Sequence, residues 1–177
     1  MTAWATRLEA LGPVTRFDYP YVAAGRGRPD PLPVLVKAHR EALDRARAAA
    51  PGPAVLVGKS MGSRVGCHLS LEVEVAALVC LGYPLLGARG DLRDQVLLAL
   101  RTPVLFVQGT RDRLCPLELL EPVRRRMTAP TELRVVEGGD HSLEVGVRAL
   151  RQAGQRQADV DAGVLEAIQG FLGRCLG

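Results

Sequence analysis

Ala54-Val55-Leu56-Val57-Gly58-Lys59-Ser60-Met61-Gly62 is the stretch whose reading decides the fold of this chain. Four apolar residues fit a buried strand. The five that follow are a G-x-S-x-G pattern, which places a serine on a sharp turn between a strand and a helix. The glycines have a steric task, because side chains two residues either side of the serine would collide with neighbouring main chain. The pattern predicts that the Ser60 hydroxyl stands out above one edge of a sheet.

A serine hydroxyl is a weak nucleophile at neutral pH and needs an adjacent base, itself oriented by an acid. Outward from Ser60, Pro103-Val104-Leu105-Phe106-Val107 reads as a strand that breaks at Gln108-Gly109-Thr110-Arg111-Asp112. Asp112 then lies just past a strand end. Leu133-Arg134-Val135-Val136 reads as another strand, stopping at Glu137-Gly138-Gly139-Asp140-His141, so His141 lies just past the next end. Three loops at one edge of a parallel sheet converge, and the residues on them are a nucleophile, an acid and a base. Asp140, Asp91 and Asp94 are rival acids. Asp140 directly precedes His141 and is expected to point away from it, and the strand-end position favours Asp112. Gly58-Lys59-Ser60 also resembles the end of a phosphate-binding G-x-x-x-x-G-K-[ST] loop. There the first glycine would have to be residue 53, which is Pro53, and Ala54 to Val57 would have to be a cradle rather than a strand.

The length of 177 residues suits one domain spanning 1-177, in which roughly 70% of the unfolded surface is buried. Hydrophobic residues make up 47% but aromatics only 4%, so the core must come from Leu, Val and Ala. The net charge of +4 is carried by arginine, with Lys37 and Lys59 the only lysines. Arginine is spread along the chain, which fits solvated helix faces better than a nucleic-acid surface. Cys67, Cys80, Cys115 and Cys175 show no C-x-x-C pairing and no zinc spacing with the histidines, so reduced thiols and no metal or other cofactor are expected. With no signal-like start and no apolar run long enough to span a bilayer, the expectation is a soluble intracellular protein, cytoplasmic or nuclear, with no membrane partner.

Period and punctuation predict helices over Thr2 to Leu11, Val34 to Ala50, Met61 to Leu71, Leu117 to Met127 and from about Asp159 to Leu176. Strands are expected at Val14 to Tyr19, Ala54 to Val57, Val75 to Leu81, Val104 and Leu133. Arg148 to Asp161, polar with few apolar anchors, reads as a mobile loop beside His141. Apolar strands alternating with helices indicate an α/β fold, a mostly parallel sheet with helices on both faces.

Several blocks together resemble one branch of the α/β-hydrolase superfamily. They are Arg16-Phe17-Asp18-Tyr19-Pro20-Tyr21, Gly58-Lys59-Ser60-Met61-Gly62-Ser63-Arg64, Leu81-Gly82-Tyr83-Pro84-Leu85, Gln108-Gly109-Thr110-Arg111-Asp112 and Glu137-Gly138-Gly139-Asp140-His141-Ser142. That branch holds a testis-expressed vertebrate protein, a subunit of the nonspecific lethal histone acetyltransferase complex, and bacterial relatives similar to dienelactone hydrolases. The resemblance implies Ser60 as nucleophile, His141 as general base, Asp112 as its orienting acid and the Met61 N–H as an oxyanion donor. It implies a local carboxylate partner for Arg64, and a cap or a substrate contact for Lys59. Relatives carry, upstream of the matching part, a strand and a His-Gly-x-Gly loop that supplies a second oxyanion donor. This chain is expected to lack the first strands and that loop, leaving its sheet N-terminally incomplete. Two functions follow as expectations: a hydrolase of a small acyl substrate (ester, thioester or lactone), or a non-catalytic, shortened domain that binds a protein partner.

Overall fold

In the computed structural model of the protein, which describes residues 2–177, the chain divides into two compact units, up to Ala54 and from Val55 onward.

The first unit is helical. It comprises α1 (Thr2–Leu8), α2 (Pro20–Ala23) and α3 (Leu32–Ala49). Prolines at and near the start of α3 suit a helix N-terminus, where the missing N–H is one the helix could not have used. The helix buries Leu35, Val36, His39, Ala42 and Leu43, a stripe at helical spacing. The predicted strand over Val14 to Tyr19 does not form. A strand exists only through a ladder partner, and residues 13–19 have none among the described residues. These residues instead carry rings. Phe17 meets Tyr19 and His39 at centroid distances of 5.0 Å each, and the Tyr19 hydroxyl donates to His39 Nδ1 at 3.2 Å. Burial lowers the His39 pKa to about 4, which leaves the ring neutral and able to accept that bond.

The second unit holds the sheet. Its elements are β1 (Val55–Lys59), α4 (Met61–Ser70), β2 (Ala77–Leu81), α5 (Gln95–Ala99), β3 (Val104–Gly109), α6 (Leu117–Arg126), β4 (Thr131–Val136), α7 (Val147–Gln152) and α8 (Gln157–Leu176). The strand order is β1-β2-β3-β4, every pair parallel, with Gly58 beside Cys80, Leu81 beside Val107 and Gln108 beside Val135. Parallel neighbours need crossover connections, which the intervening helices supply. Every residue of β2 and β3 is buried, so both faces of the central sheet are covered. α4 packs on β1 and β2, and α8 lies along β2, β3 and β4. Val65, Cys67 and Leu69 of α4, and Val164, Ile168 and Phe171 of α8, supply the packing.

The expected mobile loop over Arg148 to Asp161 is instead α7 followed by the first turn of α8. Ala, Leu, Arg and Gln are good helix formers whatever their polarity. Gly154, at φ +63°, ends α7, and Asp159 caps α8 by accepting the Arg156 N–H at 2.8 Å. No helix among the described residues is long and apolar enough to cross a membrane.

Candidate active site

β1 and α4 hold Ser60 between them in a strained conformation, φ 52° and ψ −118°, which costs on the order of 1–3 kcal/mol in a non-glycine residue. The surrounding main chain enforces it. The Ser60 N–H donates to Leu81 O at 3.0 Å, while Ser60 O accepts from the Ser63 N–H at 3.1 Å and the Ser63 hydroxyl at 2.6 Å. A Cβ on Gly58 would lie 2.2 Å from Ser63 N and 2.3 Å from Gly62 C, so the first glycine of the pattern is obligatory. The second is not: a Cβ on Gly62 would meet nothing within 4 Å. The expectation that both glycines relieve a collision is therefore corrected for Gly62.

His141 Nε2 lies 2.8 Å from Ser60 Oγ, and its Nδ1 lies 2.8 Å from Asp112 Oδ2. With the carboxylate able only to accept, Nδ1–H donates to Asp112 and Nε2 is left to accept the serine proton. The Asp112 side chain is fully buried, whereas His141 is 28% exposed. A second bond fixes the acid, the Leu114 N–H donating to Asp112 Oδ1 at 2.8 Å. Met61 is the first residue of α4, so its N–H has no acceptor inside the helix and sits beside the serine.

The loop carrying His141 is built by its own side chains. Asp140 Oδ1 accepts the Ser142 and Glu144 N–H groups at 2.7 and 3.0 Å, which turns Asp140 away from the imidazole. Leu143 takes φ +66°, its carbonyl accepting from Gln157 Nε2 at 3.0 Å, and Gln157 Oε1 accepts the Val145 N–H at 2.9 Å. The loop also abuts the end of β2: Gly82, at φ +61°, lies where a Cβ would be 2.6 Å from His141 O. The other rival acids are engaged elsewhere, Asp91 with Arg93 at 4.0 Å and Asp94 with Arg126 at 3.4 Å.

Lys59 Nζ donates to Ser142 Oγ at 3.0 Å, so the residue before the nucleophile ties down the residue after the base. Arg64 departs from expectation. It has no carboxylate partner among the described residues, and its Nε is buried without a hydrogen bond. The thiols nearby are poor nucleophiles. Burial pushes the Cys115 pKa up to about 12, with the Asp112 charge adding to the effect. Cys80 is raised well above the usual thiol range by its contact with Cys67, 3.8 Å between sulfurs, and by burial.

One polar side chain of the site escaped prediction. Gln108, fully buried at the end of β3, donates through Nε2 to Asp112 Oδ2 and accepts the Tyr83 N–H at Oε1, 3.1 Å. Its signal in the sequence is an amide closing an otherwise apolar strand.

A four-strand parallel sheet flanked by helices, with a strand-to-helix serine turn and a hydrogen-bonded Ser60, His141, Asp112 series at its C-terminal edge, defines the α/β-hydrolase fold. The chain belongs to the alpha/beta hydrolase domain family, whose model it matches over residues 1–172, across both units. Solved structures share the fold at low identity. An alpha-beta serine hydrolase homologue from Coxiella burnetii is 22% identical, with a TM-score of 0.68 over 99% of this chain and 75% of its own. Est1E from Butyrivibrio proteoclasticus, solved with ferulic acid bound, is 17% identical, with a TM-score of 0.71 over 98% of this chain and 82% of its own. A lidless serine hydrolase from Xanthomonas campestris is 20% identical, with a TM-score of 0.66 over 91% and 66%.

Proposed function

We propose that this chain is a serine hydrolase of small esters, thioesters or lactones, with Ser60 as nucleophile, His141 as general base and then general acid, and Asp112 as the orienting acid. The observation that carries the reading is the unbroken series from Ser60 Oγ through both ring nitrogens of His141 to Asp112, each link 2.8 Å. His141 takes the hydroxyl proton as Ser60 Oγ attacks the acyl carbon. The oxyanion that develops faces the Met61 N–H at the positive end of α4. Collapse of the tetrahedral species expels an alcohol or thiol, which takes its proton from His141. A water, deprotonated by the same ring, then releases the acid and restores Ser60. The ligand bound to Est1E, ferulic acid, is a carboxylic acid, the product class of such a reaction.

The test is labelling of the purified chain with a fluorophosphonate, the adduct mapped by mass spectrometry, beside Ser60→Ala and His141→Ala. Labelling confined to Ser60 is expected, with hydrolysis of p-nitrophenyl acetate reduced on the order of 10⁴-fold or more in either variant. A folded protein that is not labelled, or a Ser60→Ala variant with the full hydrolytic rate, sinks the proposal and turns attention to a protein-binding role.

A further inference from the structure

Gln108 is a neutral carboxamide buried where apolar side chains otherwise fill the strand. A buried amide needs all its polar atoms matched, and here the matching is chemically determined. The Tyr83 N–H can only donate, so it takes Oε1; the Asp112 carboxylate can only accept, so it takes Nε2. The same Asp112 oxygen accepts His141 Nδ1–H. Asp112 Oδ1 is held separately by the Leu114 N–H. The carboxylate therefore has one oxygen fixed by its own loop and the other fixed by a side chain anchored to the end of the neighbouring strand.

We infer that Gln108 is a positioning residue of this site: its amide ties Asp112 to the Tyr83 N–H, locking the carboxylate rotamer and, through it, the plane and tautomer of His141. The inference rests on the hydrolase reading for its kinetic consequences but not for its structural one. Without the amide donor, Asp112 is held only by the Leu114 N–H at Oδ1 and by the imidazole itself at Oδ2, so the carboxylate aims Nε2 at Ser60 less firmly. Replacing Gln108 by Met, a thioether of similar shape with no hydrogen-bond donor, removes the tie. Replacing it by Glu keeps the shape and makes the tie conditional on a proton. Among the titratable groups, Asp112 bonds the amide directly, His141 shares the same carboxylate oxygen, and Cys115 feels the Asp112 charge. Two carboxyl groups sharing one site hold a single proton between them and give it up only at higher pH. While that proton is present, Glu at this position donates to Asp112 as Gln does; once it is lost, two anions face each other.

The experiment compares wild type, Gln108→Met and Gln108→Glu by kcat and KM on p-nitrophenyl acetate and by the rate of fluorophosphonate labelling from about pH 6 to about pH 9. The low-field proton resonance of His141 Nδ1–H is recorded in parallel. Gln108→Met is expected to lose about 10- to 100-fold in kcat and labelling rate with KM unchanged, the usual cost of losing an orienting partner, and to lose or shift the low-field resonance. Gln108→Glu is expected to work at near wild-type rate at the acid end and to fall as the pH rises, where wild type does not. A merely structural role would lower stability without that inverted profile. If Gln108→Met fails to fold, the profile of Gln108→Glu decides alone. The inference is overturned if folded Gln108→Met keeps wild-type kcat and resonance, or if Gln108→Glu follows the wild-type pH profile. If wild type itself is neither labelled nor active, the hydrolase reading fails, and the resonance in the variants still decides whether Gln108 positions His141.

Discussion

Adding one methyl group at each glycine of the serine turn separates the steric part of the reading from the rest. In Gly58→Ala the new Cβ would sit 2.2 to 2.5 Å from Ser63 N, Gly62 C and Gly62 O, all main-chain atoms that cannot rotate away. The first turn of α4 must move, which weakens the bond from the Ser63 N–H to Ser60 O, now 3.1 Å, and the bond from Ser60 N–H to Leu81 O, now 3.0 Å. Overpacking costs about 1–3 kcal/mol and each strained hydrogen bond about 1 kcal/mol, giving roughly 3–5 kcal/mol. In a chain of this size that lowers the melting midpoint by about 10 °C. Gly62→Ala points into open space inside a helix, where Ala exceeds Gly in propensity by up to about 1 kcal/mol, so its midpoint is expected to rise by a few degrees. Thermal unfolding of the two variants, with fluorophosphonate labelling of each, is the assay. A Gly58→Ala variant that melts within about 2 °C of wild type, or one that still labels at Ser60 at the wild-type rate, refutes the argument.

His39 makes the first unit acid-labile. Its folded pKa of about 4 lies below the usual 6.5, so the unfolded chain takes the proton first, and stability is lost as pH falls from about 6.5 towards 4 and retained above. The loss is about 3 kcal/mol at most, and urea midpoints at neutral and acid pH should differ less in His39→Gln than in wild type. Lys59→Met and Ser142→Ala break the same bond, 3.0 Å long. Each is expected to slow Ser60 labelling by about 3- to 10-fold, and the double variant no further, in a double-mutant cycle. Additive losses would show that the two residues act separately. Thiol titration of the native chain at pH about 8 should find Cys175 alone, because Cys67, Cys80 and Cys115 are buried, with all four reacting only after unfolding.

The strands and their serine, aspartate and histidine were legible because each is a short apolar run stopped by glycine, a signal that needs no distant information. Val104-Leu105-Phe106-Val107 is buried on both faces, and the sequence says so by having no polar alternation. Val14 to Tyr19 looked equally strand-like but formed none, since pairing depends on a neighbour that local pattern does not encode. The polar stretch after Arg148 shows the opposite case: its arginines and glutamines lack the apolar anchors that mark a helix in sequence, yet they favour helices. Neither the free space beside Gly62 nor the Arg64 Nε left without a hydrogen bond among the described residues is visible in a motif, because both are properties of what the rest of the chain brings close. Gln108 was read as the start of the break after Val107, whereas the strand and its burial run on through it to Gly109.

The strand order β1-β2-β3-β4 follows the chain without a jump, and every residue of the proposed chemistry leaves the sheet from the same edge. The connections that return to the other edge, 71–76, 100–103 and 127–130, join helix ends to strand starts. A deep substitution scan should therefore resolve into two kinds of position. Changes in the returning connections should register only as altered abundance, whereas changes in the loops leaving β1, β3 and β4 should silence the protein while leaving its abundance intact. The exposed positions of the returning connections, such as Glu72, Arg101 and Thr128, are accordingly where a tag, a graft or a foreign loop can be inserted with least effect on the proposed chemistry.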